Sequence, residues 1–89
     1  MTVITLRKMR AHEKGVIVKI RGVGEISRRL RDMGLVGGTE IEVQGRAPLY
    51  DPVNIRVRGA NLTLRDNEAD IIDVQVDRPG EASNREAAE

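Results

Sequence analysis

Apolar and polar side chains alternate with a period of two over most of residues 1–76, the pattern typical of half-buried β-strands. Alternating runs predict strands at 16–20, 41–43, 53–57, 62–64 and 72–76, and a first short strand is predicted around Val3–Leu6. In the run at 16–20, Val16, Val18 and Ile20 are expected to share one face. The Gly59-Ala60 pair between two runs predicts a two-residue hairpin, with glycine at the first central position of a type II′ turn.

One stretch has a helical period instead. Ile26, Leu30 and Met33 recur at spacings of four and three, which predicts an amphipathic helix over Glu25–Met33, and Gly34 occupies the place of a C′ glycine. A single helical turn is predicted over Asp66–Asp70, with Asp66 as its cap. Closely spaced short strands leave no room for βαβ crossovers. The pattern therefore predicts a mainly β domain, a small SH3-like β-barrel of five to six strands with one short α-helix and one helical turn.

Composition limits the chain to one small domain. Its 89 residues contain no cysteine, no Trp and no Phe, so the core must be built from Val, Ile and Leu, and a disulfide framework is excluded. No apolar run approaches the about 20 residues of a membrane span, and no signal peptide is recognised, so a cytoplasmic location is expected. The basic part, 1–76, is predicted to fold; the acidic segment 77–89 has no apolar residue larger than Ala and is predicted to be a disordered polar tail.

Two surface features are candidates for partner binding. The segment Pro48, Leu49, Tyr50, Asp51 and Pro52 places the only aromatic side chain of the chain between two prolines. It is interpreted either as a rigid turn between strands or as a stiff, partly apolar docking loop.

The second feature is the set of arginines on the predicted helix, Arg28, Arg29 and Arg31. One interpretation is a solvated helix face. The other is that these arginines meet carboxylates of a partner, since guanidinium groups recognise carboxylates well. Nucleic acid is not favoured, because the aromatic side chains on which bases stack are missing and the net charge is only +1.

The sequence contains no combination of residues typical of an enzyme or of a dedicated metal site. His12-Glu13 is the only neighbouring imidazole and carboxylate, and adjacent strand residues point to opposite faces. No nucleophile stands in a recognisable triad, and the glycines at 22 and 24 lack the third glycine of a dinucleotide loop. We expect no catalytic activity, no cofactor and no protein-only metal site.

Three motifs occur in order along the chain: Arg-Leu-x-x-Met-Gly-Leu at 29–35, Ala-Pro-Leu-x-Asp-Pro at 47–52 and Leu-Arg-x-x-Glu-Ala at 64–69. Together they make residues 3–76 resemble the FeoA family, ferrous iron transport protein A. Gly37, Tyr50 and Ala60 depart from the pattern of that family, and two of them change expected contact surfaces.

The resemblance implies a small cytoplasmic SH3-like accessory protein of ferrous iron uptake. Such a protein would dock on FeoB, a membrane permease with a cytoplasmic G domain, and modulate it. The alternative is a metal-responsive regulatory domain akin to the SH3-like C-terminal domain of iron-dependent repressors. Direct membrane insertion is not expected, and self-association through an edge strand is left open.

Overall fold

The computed structural model describes residues 2–46, without the side chain of Arg46, and 52–77. These residues form six strands, two short α-helices and a 3₁₀ turn. In chain order these are β1 (Thr2–Thr5), the 3₁₀ turn (Leu6–Lys8), β2 (Lys14–Ile20), α1 (Glu25–Asp32), β3 (Glu40–Arg46), β4 (Val53–Val57), β5 (Ala60–Leu64), α2 (Asp66–Ala69) and β6 (Ile72–Val76). The mainly β fold class and the six strands are confirmed.

All six strands belong to one antiparallel sheet in the order β1-β6-β2-β3-β4-β5. The inward residues of β2 to β6 form a single apolar cluster, together with Leu30 of α1 and Leu35 after it. A flat sheet would spread these residues over one plane, so the sheet curves around them. The largest fully buried side chains of this cluster are Leu6, Met9, Ile17, Leu30, Leu35, Ile55, Leu64, Ile72, Val43, Val53, Val74 and Val76.

The prediction that Val16, Val18 and Ile20 share one face of β2 is wrong. Ile17 and Ile20 are buried, whereas Val16 and Val18 are 37% and 43% exposed. The register against β6 shifts between Ile17 and Lys19, as in a β-bulge. An extra residue at a bulge changes the phase of the alternation, so two inward residues are separated by three positions instead of two.

The β4–β5 hairpin is confirmed, but its turn is not the predicted one. Val57 pairs with Ala60, so the two loop residues are Arg58 and Gly59. Both have positive φ, 51° and 82°, as a type I′ turn requires at its two central positions. Ala60 is therefore the first residue of β5.

The end of α1 is built as predicted around Gly34. Its φ is +95°, its N–H donates to Arg31 O at 2.9 Å, and the N–H of Leu35 donates to Leu30 O at 3.1 Å. These two bonds are those of a Schellman motif, which ends a helix on a left-handed glycine. Leu30 and Leu35 are both buried, so the same turn directs the chain from the helix into the core.

Gly15 allows β2 and β6 to approach each other closely. A Cβ at this position would lie 2.4 Å from Val74 Cγ1 and 2.9 Å from the backbone oxygen of Gln75. We expect Gly15→Ala to lower the free energy of unfolding by about 1–3 kcal/mol, because the sheet must shift to accommodate the methyl group. Urea unfolding measures the loss.

Gly45→Ala is the matched control, since a Cβ at Gly45 in β3 meets no atom within 4 Å. It should change the stability by less than about 0.5 kcal/mol. Equal effects of the two substitutions would contradict the close-approach explanation.

Candidate functional site

Most of the predicted docking loop lies outside the described residues. This applies to Pro48, Leu49, Tyr50 and Asp51. Pro52 is described; it is partly buried and directly precedes β4. The assignment of this loop to partner binding stays a prediction.

The three arginines of α1 are exposed but have different surroundings. Arg31 Nη1 donates to Ser27 Oγ at 3.5 Å, and Arg29 forms an ion pair with Glu68 of α2. Within the described ranges, Arg28 has no ion-pair partner within 4.0 Å. Arg28 is therefore the α1 arginine that is most available to an external carboxylate.

Glu68 is almost completely buried, with 4% of its surface exposed. Its Oε1 accepts the backbone N–H of Arg65 at 2.8 Å, and its Oε2 accepts the guanidinium of Arg29. A buried carboxylate needs such partners to offset its lost hydration. The N-cap position of α2 is Arg65, so the prediction of Asp66 as the cap is wrong; Asp66 lies inside the first turn.

The buried face of α1 is narrower than its sequence pattern predicts. Only Ser27 and Leu30 of the helix are buried, while Ile26 and Met33 remain 40% and 38% exposed. The helix packs mainly against β2 and α2. Of the three apolar residues that define the helical pattern, Leu30 is therefore fully buried, and Ile26 and Met33 are only partly covered.

Exposed apolar side chains gather around α1. Seven large apolar residues of the described chain are exposed, and four of them lie on α1 or within four residues of it along the chain: Val23, Ile26, Met33 and Val36. Val18 of β2 is near this group, because its backbone oxygen would lie 2.9 Å from a Cβ at Gly37, the residue after Val36. We call the set of five the α1 surface: Val18, Val23, Ile26, Met33 and Val36.

A concave region lies on the outer face of the sheet, between β2, β3, β4 and β6. It is an open groove of about 590 Å³. Charges of both signs alternate across it, because Lys14 pairs with Glu42 and Glu42 pairs with Arg56 in the strand register. Such a mixed surface is typical of a solvated sheet face.

The described part of the chain contains no group of three or more His, Cys, Asp or Glu side chains arranged to hold a metal ion. Glu13 Oε1 accepts the backbone N–H of Arg10 at 2.9 Å, and His12 has a positive φ of 68°. In the same part of the chain, no helix is long and apolar enough to cross a membrane.

The FeoA domain model matches residues 4–76, nearly all of the described fold. The chain belongs to the FeoA domain family. A curated relative is the Fe(2+) transport protein A/Fe(2+) transporter FeoB fusion protein of Porphyromonas gingivalis (strain ATCC BAA-308 / W83), which is 37% identical over 71 residues. The match covers 80% of this chain and only 8% of the fusion protein.

Solved structures of FeoA proteins share the fold. The FeoA-like protein from Clostridium acetobutylicum has a TM-score of 0.79 and 40% identity, covering 85% of this chain and 90% of that one. Zinc-complexed FeoA of Stenotrophomonas maltophilia, described as a prokaryotic SH3 domain protein, has a TM-score of 0.73 and 28% identity, covering 81% and 89%. The SH3-like fold class is confirmed.

A structure outside the FeoA proteins also shares this fold. IdeR of T. acidophilum has a TM-score of 0.75 and 22% identity, and the match covers 86% of this chain and 35% of that one. At this identity the similarity concerns the fold alone.

Two of the three motifs that carry the FeoA resemblance meet in the structure. Arg29 and Glu68 form the ion pair between α1 and α2, and Leu30 and Ala69, the residues next to them, are both completely buried. The motifs at 29–35 and 64–69 therefore hold the two helices together. The α1 surface was missed by sequence reasoning, because Ile26 of α1 and Met33 at its C-cap have the spacing of core residues.

The Arg29–Glu68 pair provides a stability test. We expect Arg29→Met to lower the free energy of unfolding by about 1–2 kcal/mol, because a buried carboxylate loses a charged hydrogen-bond donor while the arginine itself is largely solvated. Arg28→Met on the same helix is the control and should change stability by less than about 0.5 kcal/mol. Both are measured by urea unfolding, and similar losses for the two variants would contradict the role given to the pair.

Proposed function

We propose that this protein serves ferrous iron uptake as a binding module that docks on a FeoB-type transporter through the α1 surface. The fusion protein of Porphyromonas gingivalis supports the choice of partner, since in that protein the two parts belong to one polypeptide. A covalent connection keeps the two parts at high effective concentration, which benefits domains that act together. Docking would modulate transport by the partner.

The half-exposed state of Ile26 and Met33 carries the choice of surface. Small soluble proteins rarely gather exposed apolar side chains around one element unless that element meets a partner. Methionine is flexible and polarizable, and such residues are enriched at adaptable binding surfaces. The neighbouring Arg28 would add a charged contact at the rim, where a guanidinium pairs well with a carboxylate.

The loop at 48–52 remains the second candidate surface for the same function. Tyr50 is the only aromatic residue of the chain, and aromatic side chains often dominate binding energy. The experiment on docking therefore includes this loop beside the α1 surface.

We expect the double variant Ile26→Gln with Met33→Gln to capture at least about tenfold less FeoB from detergent-solubilised membranes than the natural protein, because central apolar contacts dominate interface energy. The variant should stay folded, since both side chains are already about two-fifths exposed. Quantitative pull-down measures capture, and circular dichroism with urea unfolding checks the fold.

Two variants make this experiment specific. Val3→Gln replaces an exposed valine on β1, away from α1, and should leave capture unchanged. Leu49→Ala with Tyr50→Ala tests the loop. Loss of capture in the loop variant alone would overturn the choice of the α1 surface, and unchanged capture in every variant would overturn docking through either surface.

A binding module of this kind does not need its own iron. We expect anaerobic titration calorimetry with Fe²⁺ to show no stoichiometric uptake by the isolated protein, because its described residues supply no cluster of ligands. A one-to-one isotherm would contradict this expectation and favour the metal-responsive alternative.

A further inference from the structure

Strand β5 forms one edge of the sheet, and among the described residues no strand pairs with its outer side. Val57 and Ala60 close the two-residue hairpin, so the hydrogen-bonded pairs with β4 alternate from there through Leu62 to Leu64. The N–H and C=O groups of Asn61 and Thr63 consequently point away from β4. Neither residue forms another backbone hydrogen bond within the described ranges.

This edge lacks the features that usually block strand addition. Proteins protect open edges with lysine, proline, bulges or very short strands, whereas β5 has five residues, no charge and no proline, and pairs with β4 without a register shift. The opposite edge, β1, is one residue shorter. The cation that follows β1, Arg7, forms an ion pair with Asp66 at 3.7 Å.

The charged residues of the β4–β5 hairpin itself are all basic, and the acidic neighbour of this hairpin in the strand register is Glu42 of β3, opposite Arg56. Residues 53–65 contain three arginines and no acidic residue. Arg56 lies opposite Asn61, and Arg65 directly follows β5; both are exposed and form no ion pair within 4.0 Å among the described residues. The third arginine, Arg58, is not counted with them, because its guanidinium lies against Gly34 at the end of α1.

This charge distribution decides between two occupants. A second copy of the chain paired along β5 would bring two basic hairpins together, and like charges on adjacent strands repel. An extended segment with acidic side chains would place carboxylates near Arg56 and Arg65, where guanidinium groups are available.

We infer that β5 is a strand-addition site for an acidic, extended segment of a protein partner. The segment would exchange backbone hydrogen bonds with Asn61 and Thr63 and place acidic side chains beside Arg56 and Arg65. About five residues, or roughly 17 Å, match the length of the strand. The inference rests on the proposed function for the source of the segment; its chemistry is tested separately.

The test uses the full chain and a capped seven-residue peptide with two acidic residues at each end and Val-Thr-Val between them. Amide hydrogen exchange is followed by NMR in the natural protein. Saturating peptide should slow exchange of the Asn61 and Thr63 amides at least about tenfold, because these N–H groups gain acceptors. The amides of Leu62 and Leu64 already face β4 and should slow less than about threefold.

Variants separate the backbone contribution from the charge contribution. Thr63→Pro removes an outward N–H that the β4 ladder does not use, and it should abolish binding, whereas Thr63→Val keeps the N–H and should bind normally. Arg56→Gln with Arg65→Gln should raise the Kd about tenfold and reduce its salt dependence. Lys19→Gln removes one positive charge from β2, which does not pair with β4 or β5, and should alter the Kd less than about twofold.

The following outcomes overturn the inference: no protection at Asn61 and Thr63, equal binding of a peptide with lysines in place of the acids, or protection that rises with protein concentration without peptide, which indicates self-pairing. Because the exchange measurement uses the natural protein, it tests strand addition at β5 even if Thr63→Pro fails to fold. If the protein captures the transporter but does not bind the peptide, the strand-addition inference is overturned and the proposed function is not. Peptide binding without capture would overturn the proposed partner and leave the strand-addition site intact.

Discussion

The burial of one carboxylate constrains the arrangement of both helices. Glu68 has lost nearly all contact with water, so its two oxygens must find donors within the protein. One donor is the backbone N–H of Arg65, which starts α2, and the other is the guanidinium of Arg29, which belongs to α1. The orientation of α1 is thereby set against α2, and this orientation turns Leu30 inward while Ile26 and Met33 stay at the edge.

The burial of Glu68 gives two of the family motifs a structural role. Arg29, Leu30, Gly34 and Leu35 act in the ion pair, the core and the helix end, and Glu68 and Ala69 complete the junction. These residues identify the architecture of a FeoA domain. The docking surface must be sought among residues outside this junction, and the exposed apolar side chains around α1 and the open edge of β5 are two such places.

Much of the fold follows from local rules in the sequence. Period-two alternation predicted β3, β4 and β6, and Gly34 predicted the end of α1, because both signals depend only on the local sequence. The bulge in β2, the residues of the hairpin turn and the exposed edge of α1 depend on how elements pack, which spacing does not encode. The helix pattern of Ile26, Leu30 and Met33 is compatible with three buried side chains, yet the contact with β2 and α2 covers only Leu30 fully.

One contact connects the turn before β5 with the end of α1. The guanidinium of Arg58, in the turn that begins β5, lies over Gly34 at the end of α1, one residue after Met33. A single partner that reaches both would combine contacts of different kinds. Apolar burial at the α1 surface is non-directional and contributes mainly affinity, whereas backbone pairing along β5 fixes register and direction. A protein without an aromatic-lined groove among its described residues would in this way still recognise one partner specifically.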